Sequence, residues 1–95
     1  MSELDGRWDV KRLSGALPPL LGVSKEIAGS GGWTKVGPIG VLPFEVVGRS
    51  LRYRSPFRAF VDELEPAGDG YLGRATFQGR ELGKFELRRQ QDVGS

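Results

Sequence analysis

The chain has 95 residues with 14 basic and 12 acidic side chains, and it contains neither cysteine nor histidine. The length suits a single domain, residues 1–95, with a core of modest size. A net charge of +2 does not mark a nucleic-acid-binding surface. No apolar run approaches the ~20 residues that a membrane-spanning helix needs. The absence of cysteine and of a secretory signal in the first residues predicts a cytoplasmic protein.

The first half of the chain alternates in short apolar and polar runs that glycine and proline interrupt, a pattern typical of strands and turns. Trp8 to Leu13 is predicted as a first strand with Trp8 and Val10 facing inward, and a loop containing Pro18-Pro19 follows it. The next predicted strands are Val23 to Ala28, Trp33 to Val36, Leu42 to Val47 and Leu51 to Arg54. The first two of these flank a glycine-rich hairpin turn, in which the lysine is misplaced for a phosphate-binding loop.

The second half predicts a three-stranded meander. Its strands begin at Phe57, Tyr71 and Glu81, and turns near Pro66 to Gly70 and at Gly79-Arg80 separate them. In the first of these strands we expect Phe57, Val61 and Glu63 to share the inward face. Together with the first half this makes about eight short strands. We therefore predict an all-β fold, a small up-and-down antiparallel barrel whose closure removes both sheet edges.

The two ends of the chain resemble the calycin superfamily, which includes the lipocalins and the fatty-acid-binding-protein-like barrels. The matching residues are Gly6-x-Trp8 at the start of the first strand and Arg88 or Arg89 in the last. The resemblance implies that the Trp8 ring closes one end of the barrel and that an arginine packs across it. The chain is shorter than a typical lipocalin and lacks the Thr-Asp-Tyr of the family pattern. It is therefore either a miniature barrel or one that two chains complete.

An eight-stranded barrel is just wide enough either to be filled by side chains or to hold one small ligand. We predict a binding protein for a small apolar or weakly acidic molecule, with aromatic side chains lining the interior and a few polar groups orienting the ligand. The polar contacts are predicted to be Tyr53, Glu63, Tyr71 and Arg89. The aromatic lining is predicted to include Phe44, Phe57, Phe77 and Phe85, whereas Gly6, Trp8 and Arg88 are assigned structural roles.

Two other functions fit the same sequence. One is an enzyme of the isomerase or cyclase type, which uses a buried carboxylate and a tyrosine. The other is a filled barrel that acts through its surface as an interaction or assembly module. No metal and no cofactor are predicted, because histidine and cysteine are absent and Asp62-Glu63-x-Glu65 does not match a calcium loop.

The chain is predicted to be either a monomer or a homodimer. The dimer follows from the shortness of the chain for this fold, and Val47 and Phe60, which depart from clean alternation, are the residues that favour it. Neither nucleic acid nor a membrane is expected as a partner. The basic and aromatic residues between Arg49 and Phe60 suit an outer, solvated face, and the acidic residues that follow oppose any positive field.

Overall fold

The computed structural model describes residues 3–15, 22–37 and 40–90, and these form a closed barrel of eight antiparallel strands. The predicted loop around Pro18-Pro19 lies outside the described residues. No helix long and apolar enough to cross a membrane is present in the described part of the chain. The strands are β1 (Gly6–Gly15), β2 (Val23–Ala28), β3 (Gly31–Val36), β4 (Gly40–Val47), β5 (Ser50–Tyr53), β6 (Phe60–Ala67), β7 (Gly70–Phe77) and β8 (Arg80–Arg89).

One chain closes this barrel by itself. Each strand pairs with the next, and β1 pairs with β8 in a register that runs from Trp8 opposite Arg89 to Gly15 opposite Gly83. Closure leaves no free edge strand among the described strands, which removes the unpaired backbone groups that an open sheet would expose. The prediction of an all-β up-and-down barrel is confirmed. A second chain is not required to complete it.

The two ends of the barrel differ in how far their side chains are buried. We call them the Trp8 end, where β1 begins, and the Phe60 end, where β6 begins. Near the Trp8 end Leu4, Trp8, Leu51 and Leu87 are all 0% exposed. Burying each such side chain contributes roughly 1.5–3 kcal/mol, so most of the apolar stabilisation lies in this half of the barrel. At the Phe60 end the inward-facing apolar side chains are half-buried or exposed, namely Val23, Val36, Leu42, Phe60 and Phe77.

The inward face of β6 is the opposite of the one predicted. Residues 54–59 form turns, and the strand begins only at Phe60. Asp62 and Leu64 are buried inside the barrel, whereas Glu63 is exposed on the outer wall beside Arg74, whose Nη2 lies 2.8 Å from Glu63 Oε2. A shift of one residue in a strand reverses every side chain. The inward orientation predicted for Val61 and Glu63 was therefore wrong.

Buried residues alternate with more exposed ones along most of the last two strands. Tyr71 and Gly73 of β7 are buried, as are Phe85 and Leu87 of β8. Gly73 lies under the Phe85 ring, and a Cβ atom at this position would come within 2.2 Å of that ring. The absence of a side chain at Gly73 is thus what allows Phe85 to lie flat inside the barrel. Phe77 keeps the inward register of Tyr71 but reaches the Phe60 end, where 37% of it is exposed.

Candidate functional site

A plug made by the two ends of the chain closes the Trp8 end. The Arg89 guanidinium lies over the Trp8 ring, 4.2 Å from its centroid, and its Nη1 donates to the carbonyl of Asp5 at 2.8 Å. The Trp8 indole nitrogen donates to the carbonyl of Leu4 at 2.9 Å. Gly6 has a φ of +133°, and a Cβ atom there would be 2.6 Å from Arg89 Nη1. These contacts explain physically why glycine, tryptophan and arginine occur together in this pattern.

The arginine on Trp8 is Arg89 and not Arg88. Arg88 is exposed on the outer wall and forms an ion pair with Glu86 of its own strand. Successive residues of a strand point to opposite faces, so only one of the two arginines can reach Trp8. The structural role assigned to Arg88 from the sequence is therefore taken by Arg89.

Tyr71 also belongs to this plug. Its ring packs edge-on against Trp8 with a centroid distance of 5.5 Å, and its hydroxyl donates to Glu3 Oε2 at 2.7 Å. Glu3 in turn lies 3.0 Å from Arg49 Nε. The hydrogen bond from Tyr71, and then that from Arg49, lower the pKa of Glu3 below its ordinary value. Burial and the neighbouring carboxylate raise the pKa of Tyr71. The polar groups of Tyr71 and Arg89 are thus engaged in closing the barrel.

A cluster of four polar side chains lies inside the barrel. We call it the polar floor, and it consists of Lys25, Thr34, Tyr53 and Asp62. The Lys25 ammonium is 2.7 Å from Thr34 Oγ1, 2.8 Å from the Tyr53 hydroxyl and 3.0 Å from Asp62 Oδ2. Lys25 is 3% exposed and Asp62 is 6% exposed. Alternation places Lys25 on the inward face of β2 beside Ile27, and Asp62 on the inward face of β6 beside Leu64.

The hydrogen bonds of the polar floor leave no donor free. Lys25 has three N–H groups, and each of them has an acceptor. The Tyr53 hydroxyl donates to Asp62 Oδ2 at 2.9 Å, so the Thr34 hydroxyl is the donor in its 2.7 Å contact with Tyr53. Asp62 Oδ1 has no hydrogen-bond partner among the described residues, and 9% of the Asp62 side chain is exposed. The unused capacity of the cluster is therefore that of an acceptor.

The polar floor holds Lys25 in its charged form. Burial alone would lower the pKa of this ammonium, but the charge of Asp62 and the hydrogen bonds to Tyr53 and Asp62 outweigh burial, and the pKa lies above its ordinary value. The rings of Phe44, Tyr53 and Phe85 lie 5.4–5.6 Å from the Lys25 nitrogen and stabilise the cation further. Burial raises the pKa of Tyr53, so its hydroxyl stays protonated. A protonated lysine is not a nucleophile, which argues against Schiff-base chemistry.

Three phenylalanines form a cluster at the Phe60 end, which we call the rim cluster. Phe57, Phe60 and Phe77 are 41%, 37% and 37% exposed. The Phe60 ring lies 4.8 Å from the Phe77 ring and 6.4 Å from the Phe57 ring, measured between centroids. Phe60 is in register with Phe77 and keeps the inward parity of Asp62. The rim cluster therefore borders the end of the barrel through which the polar floor is nearest to solvent.

The structure places five of the eight side chains predicted to bind a ligand in two separate groups. Phe44, Tyr53 and Phe85 surround Lys25, and Phe57 and Phe77 belong to the rim cluster. The other three are elsewhere, with Tyr71 and Arg89 at the Trp8 end and Glu63 on the outer wall. Whether any of the eight contacts a ligand stays a prediction.

Lys25, Thr34 and Asp62 were missed from the sequence. The sequence did hold a signal for two of them. Lys25 is two residues from Ile27 and Asp62 is two residues from Leu64, so each polar side chain shares the face of a buried apolar one. Within the described residues, no three Asp or Glu side chains are grouped as a metal site would require.

No family model matches this chain, and no curated protein or solved structure matches it significantly. The eight-stranded antiparallel barrel is compatible with a calycin-like fold. The functional interpretation therefore depends on the chemistry of the site.

Proposed function

We propose that this protein binds a small apolar or weakly acidic molecule at the Phe60 end of a calycin-like barrel in the cytoplasm. One observation carries the proposal, namely an exposed rim cluster at the same end of the barrel as a charged, hydrogen-bonded polar floor. Monomeric proteins rarely leave large aromatic side chains grouped at the surface, and such groups mark binding sites. Ligand sites in proteins combine an apolar lining with a few convergent polar groups.

Stability alone is a poor explanation of the polar floor. A buried ion pair requires the desolvation of both charges, and well-packed apolar residues are often as stabilising or better. The interior at the Trp8 end is packed with such apolar residues, and Leu4, Leu51 and Leu87 are fully buried there. The charged pair Lys25 and Asp62 is nevertheless placed toward the less buried end of the same barrel. A role in recognising a ligand accounts for this position.

The hydrogen-bond inventory of the floor narrows the class of ligand. Since every donor of the cluster is in use and Asp62 Oδ1 is free among the described residues, a bound molecule is expected to donate a hydrogen bond. A phenol or a carboxylic acid in its protonated form is weakly acidic, apolar elsewhere and able to donate. An ionised carboxylate cannot donate and would face the charge of Asp62.

The test uses two fluorescent probes that differ only in the donor. 2-Naphthol carries a hydroxyl, and 2-methoxynaphthalene carries a methyl ether of similar size. A hydrogen bond to a charged group contributes about 1.5–3 kcal/mol, so we expect 2-naphthol to bind about tenfold more tightly or better, with one molecule per chain. Affinities are measured by fluorescence titration at pH 7, where 2-naphthol is protonated.

Matched variants locate the bound probe. The double variant Phe60→Ala and Phe77→Ala removes two rings of the rim cluster and should weaken 2-naphthol binding by at least tenfold. Trp33→Ala is the control, because Trp33 is 40% exposed, close to the exposure of Phe60, but lies on the outer face of β3. Equal affinity for the two probes, or equal losses in the two variants, would remove the proposal.

A second candidate is an enzyme of the isomerase or cyclase type, favoured by the 2.9 Å hydrogen bond from Tyr53 to Asp62. Asp62 Oδ1 would take the α-proton, and the Tyr53 hydroxyl, which its raised pKa keeps protonated, would turn from Asp62 to donate a hydrogen bond to the carbonyl oxygen. The test incubates small enolisable ketones with the protein in D2O and follows deuterium uptake by NMR. Enzymatic exchange that Tyr53→Phe abolishes, with 2-naphthol still bound, would support this candidate over a binding protein.

A further inference from the structure

The outer wall of the barrel carries a group of arginines without partners. Within the described residues, a salt bridge, hydrogen bond or cation–π contact engages the side chains of Arg7, Arg12, Arg49, Arg74, Arg88 and Arg89. Four other arginines have no such contact: Arg52, Arg54, Arg58 and Arg80. Three of these four, Arg52, Arg54 and Arg58, line one groove.

The groove lies outside the barrel and is built by the shortest strand. β5 pairs with β6 only from Ser50 opposite Glu63 to Arg52 opposite Val61. Beyond these pairs the two strands are no longer hydrogen-bonded, and the turn segment 54–59 connects them. The separation leaves a concavity of about 730 Å³. Its volume lies within the ~300–1,000 Å³ of small-molecule sites. The hydroxyl-bearing residues Ser50 and Ser55 belong to the same lining.

The turn segment that carries two of the arginines is tied to the barrel by backbone hydrogen bonds. The Arg54 amide donates to the Pro43 carbonyl at 3.2 Å, and the Phe57 amide donates to the Arg54 carbonyl at 2.8 Å. The Phe60 amide donates to the Phe57 carbonyl at 3.0 Å. These hydrogen bonds hold the backbone of the segment that carries Arg54 and Arg58 against the barrel. The two guanidinium groups therefore extend from an ordered backbone.

The acidic residues of the groove do not cancel its charge. Glu63 lines the groove but is engaged by Arg74 on the neighbouring strand, with 2.8 Å between Oε2 and Nη2. Glu45 stands opposite Arg52 in the β4–β5 register and forms no salt bridge among the described residues. The groove therefore combines three unpaired guanidinium groups with one unpaired carboxylate, and a bound dianion would complete its charge balance.

We propose that this groove binds the phosphate group of a small phosphate monoester. Guanidinium groups bind phosphate oxygens through two parallel N–H donors, and several of them around one site provide charge and geometry together. The Ser50 and Ser55 hydroxyls supply neutral donors of the kind that complete such sites. The groove is distinct from the interior site, because Arg52 and Glu63 of its lining lie on the outer wall, although Tyr53 of the polar floor also belongs to that lining.

The test is a titration of the 15N-labelled full chain with phenyl phosphate, followed by 1H–15N NMR at low ionic strength and pH 7.5. We expect saturable shifts confined to the groove residues, above all the Arg52, Arg54 and Arg58 side-chain Nε–H signals. Arg54→Ala and Arg58→Ala should each weaken binding by about five- to tenfold, the loss of one charge-assisted contact. Inorganic phosphate should cause the same shifts with lower affinity.

Arg80→Ala is the matched control, since it removes an equally unpaired arginine that does not line the groove. It should change the affinity by less than twofold. The absence of saturation, shifts spread over the surface, or an Arg80→Ala loss equal to that of Arg54→Ala would overturn the proposal. A short single-stranded RNA that binds more tightly and displaces phenyl phosphate would also overturn it, in favour of a nucleic-acid surface. None of these results depends on 2-naphthol binding, so the two proposals fail independently.

Discussion

Replacing Lys25 by Met would leave Asp62 buried without its cation. Asp62 is 6% exposed, and its Oδ2 would keep only the hydrogen bond from Tyr53. Removing one partner of a buried ion pair costs about 3–5 kcal/mol. A 95-residue domain has a free energy of unfolding of about 5–14 kcal/mol. We therefore expect Lys25→Met to lose a large part of the total stability.

The double variant Lys25→Met and Asp62→Leu should be more stable than Lys25→Met alone. Both charges are then gone, and Thr34 and Tyr53 keep the 2.7 Å hydrogen bond between them. Replacing both members of a buried pair by apolar residues is often neutral or stabilising. We expect the double variant to recover at least about 2 kcal/mol of the loss.

Urea unfolding measures these free energies, with fluorescence of the buried Trp8 as the signal, and thermal unfolding provides a second reading. A loss of 3–5 kcal/mol in a domain of this size lowers Tm by more than ~10 °C. The matched control is an exposed ion pair beside the polar floor. Glu63 follows Asp62 on β6 and pairs with Arg74 of β7, and both side chains are 50% exposed. Arg74→Met should cost no more than about 1 kcal/mol.

Two results would refute this reasoning about the polar floor. If Lys25→Met were as stable as the parent, the ion pair would not be buried as described. If the double variant were as unstable as Lys25→Met, the loss would come from packing and not from an uncompensated charge.

Further changes probe the plug, the titration of the floor and association. Gly6→Ala should cost about 1–3 kcal/mol, because φ is +133° and the new Cβ would displace Arg89 from Trp8. Gly48→Ala is the control in urea unfolding and should cost less, because its φ of +62° is also strained for alanine but its Cβ would meet open space. The raised pKa values of Lys25 and Tyr53 mean that the folded state holds these protons more tightly, so the free energy of unfolding should fall as pH rises above about 10. Urea midpoints between pH 8 and 11 measure this fall, and a rise would contradict it. Phe60→Ala should weaken any homodimer in sedimentation equilibrium; an unchanged monomer–dimer equilibrium would remove the dimer prediction.

The barrel could be predicted from the sequence because its signals are local. Alternation in Tyr71 to Phe77 and in Phe85 to Leu87, with turn residues between them, is readable without any knowledge of the rest of the chain. The closure by Trp8 and an arginine was implied by the resemblance of the two chain ends to the calycin superfamily. Which of two consecutive arginines faces inward depends on the β1–β8 register, with Trp8 opposite Arg89, and this is a long-range property.

The polar floor could not be predicted, since its members come from four different strands. Lys25, Thr34, Tyr53 and Asp62 lie on β2, β3, β5 and β6, and sequence separations of 9 to 37 residues divide Lys25 from its three partners. The face of β6 was also ambiguous, because Val61 and Leu64 lie on opposite faces and each predicts a different inward side. The choice of Val61 placed Glu63 inside and Asp62 outside. Only the pairing of β6 with β5 and β7 resolves that choice.

The most direct test of binding at the Phe60 end is an isotope-filtered NOE measurement on the complex of the labelled chain with 2-naphthol. We expect contacts between naphthol protons and the rings of Phe60, Phe77 and Tyr53, and none to Trp33 on the outer face of β3. Contacts to Trp33 with none to Phe60 or Phe77, or a saturated complex without contacts to Tyr53, would contradict a binding site between the rim cluster and the polar floor.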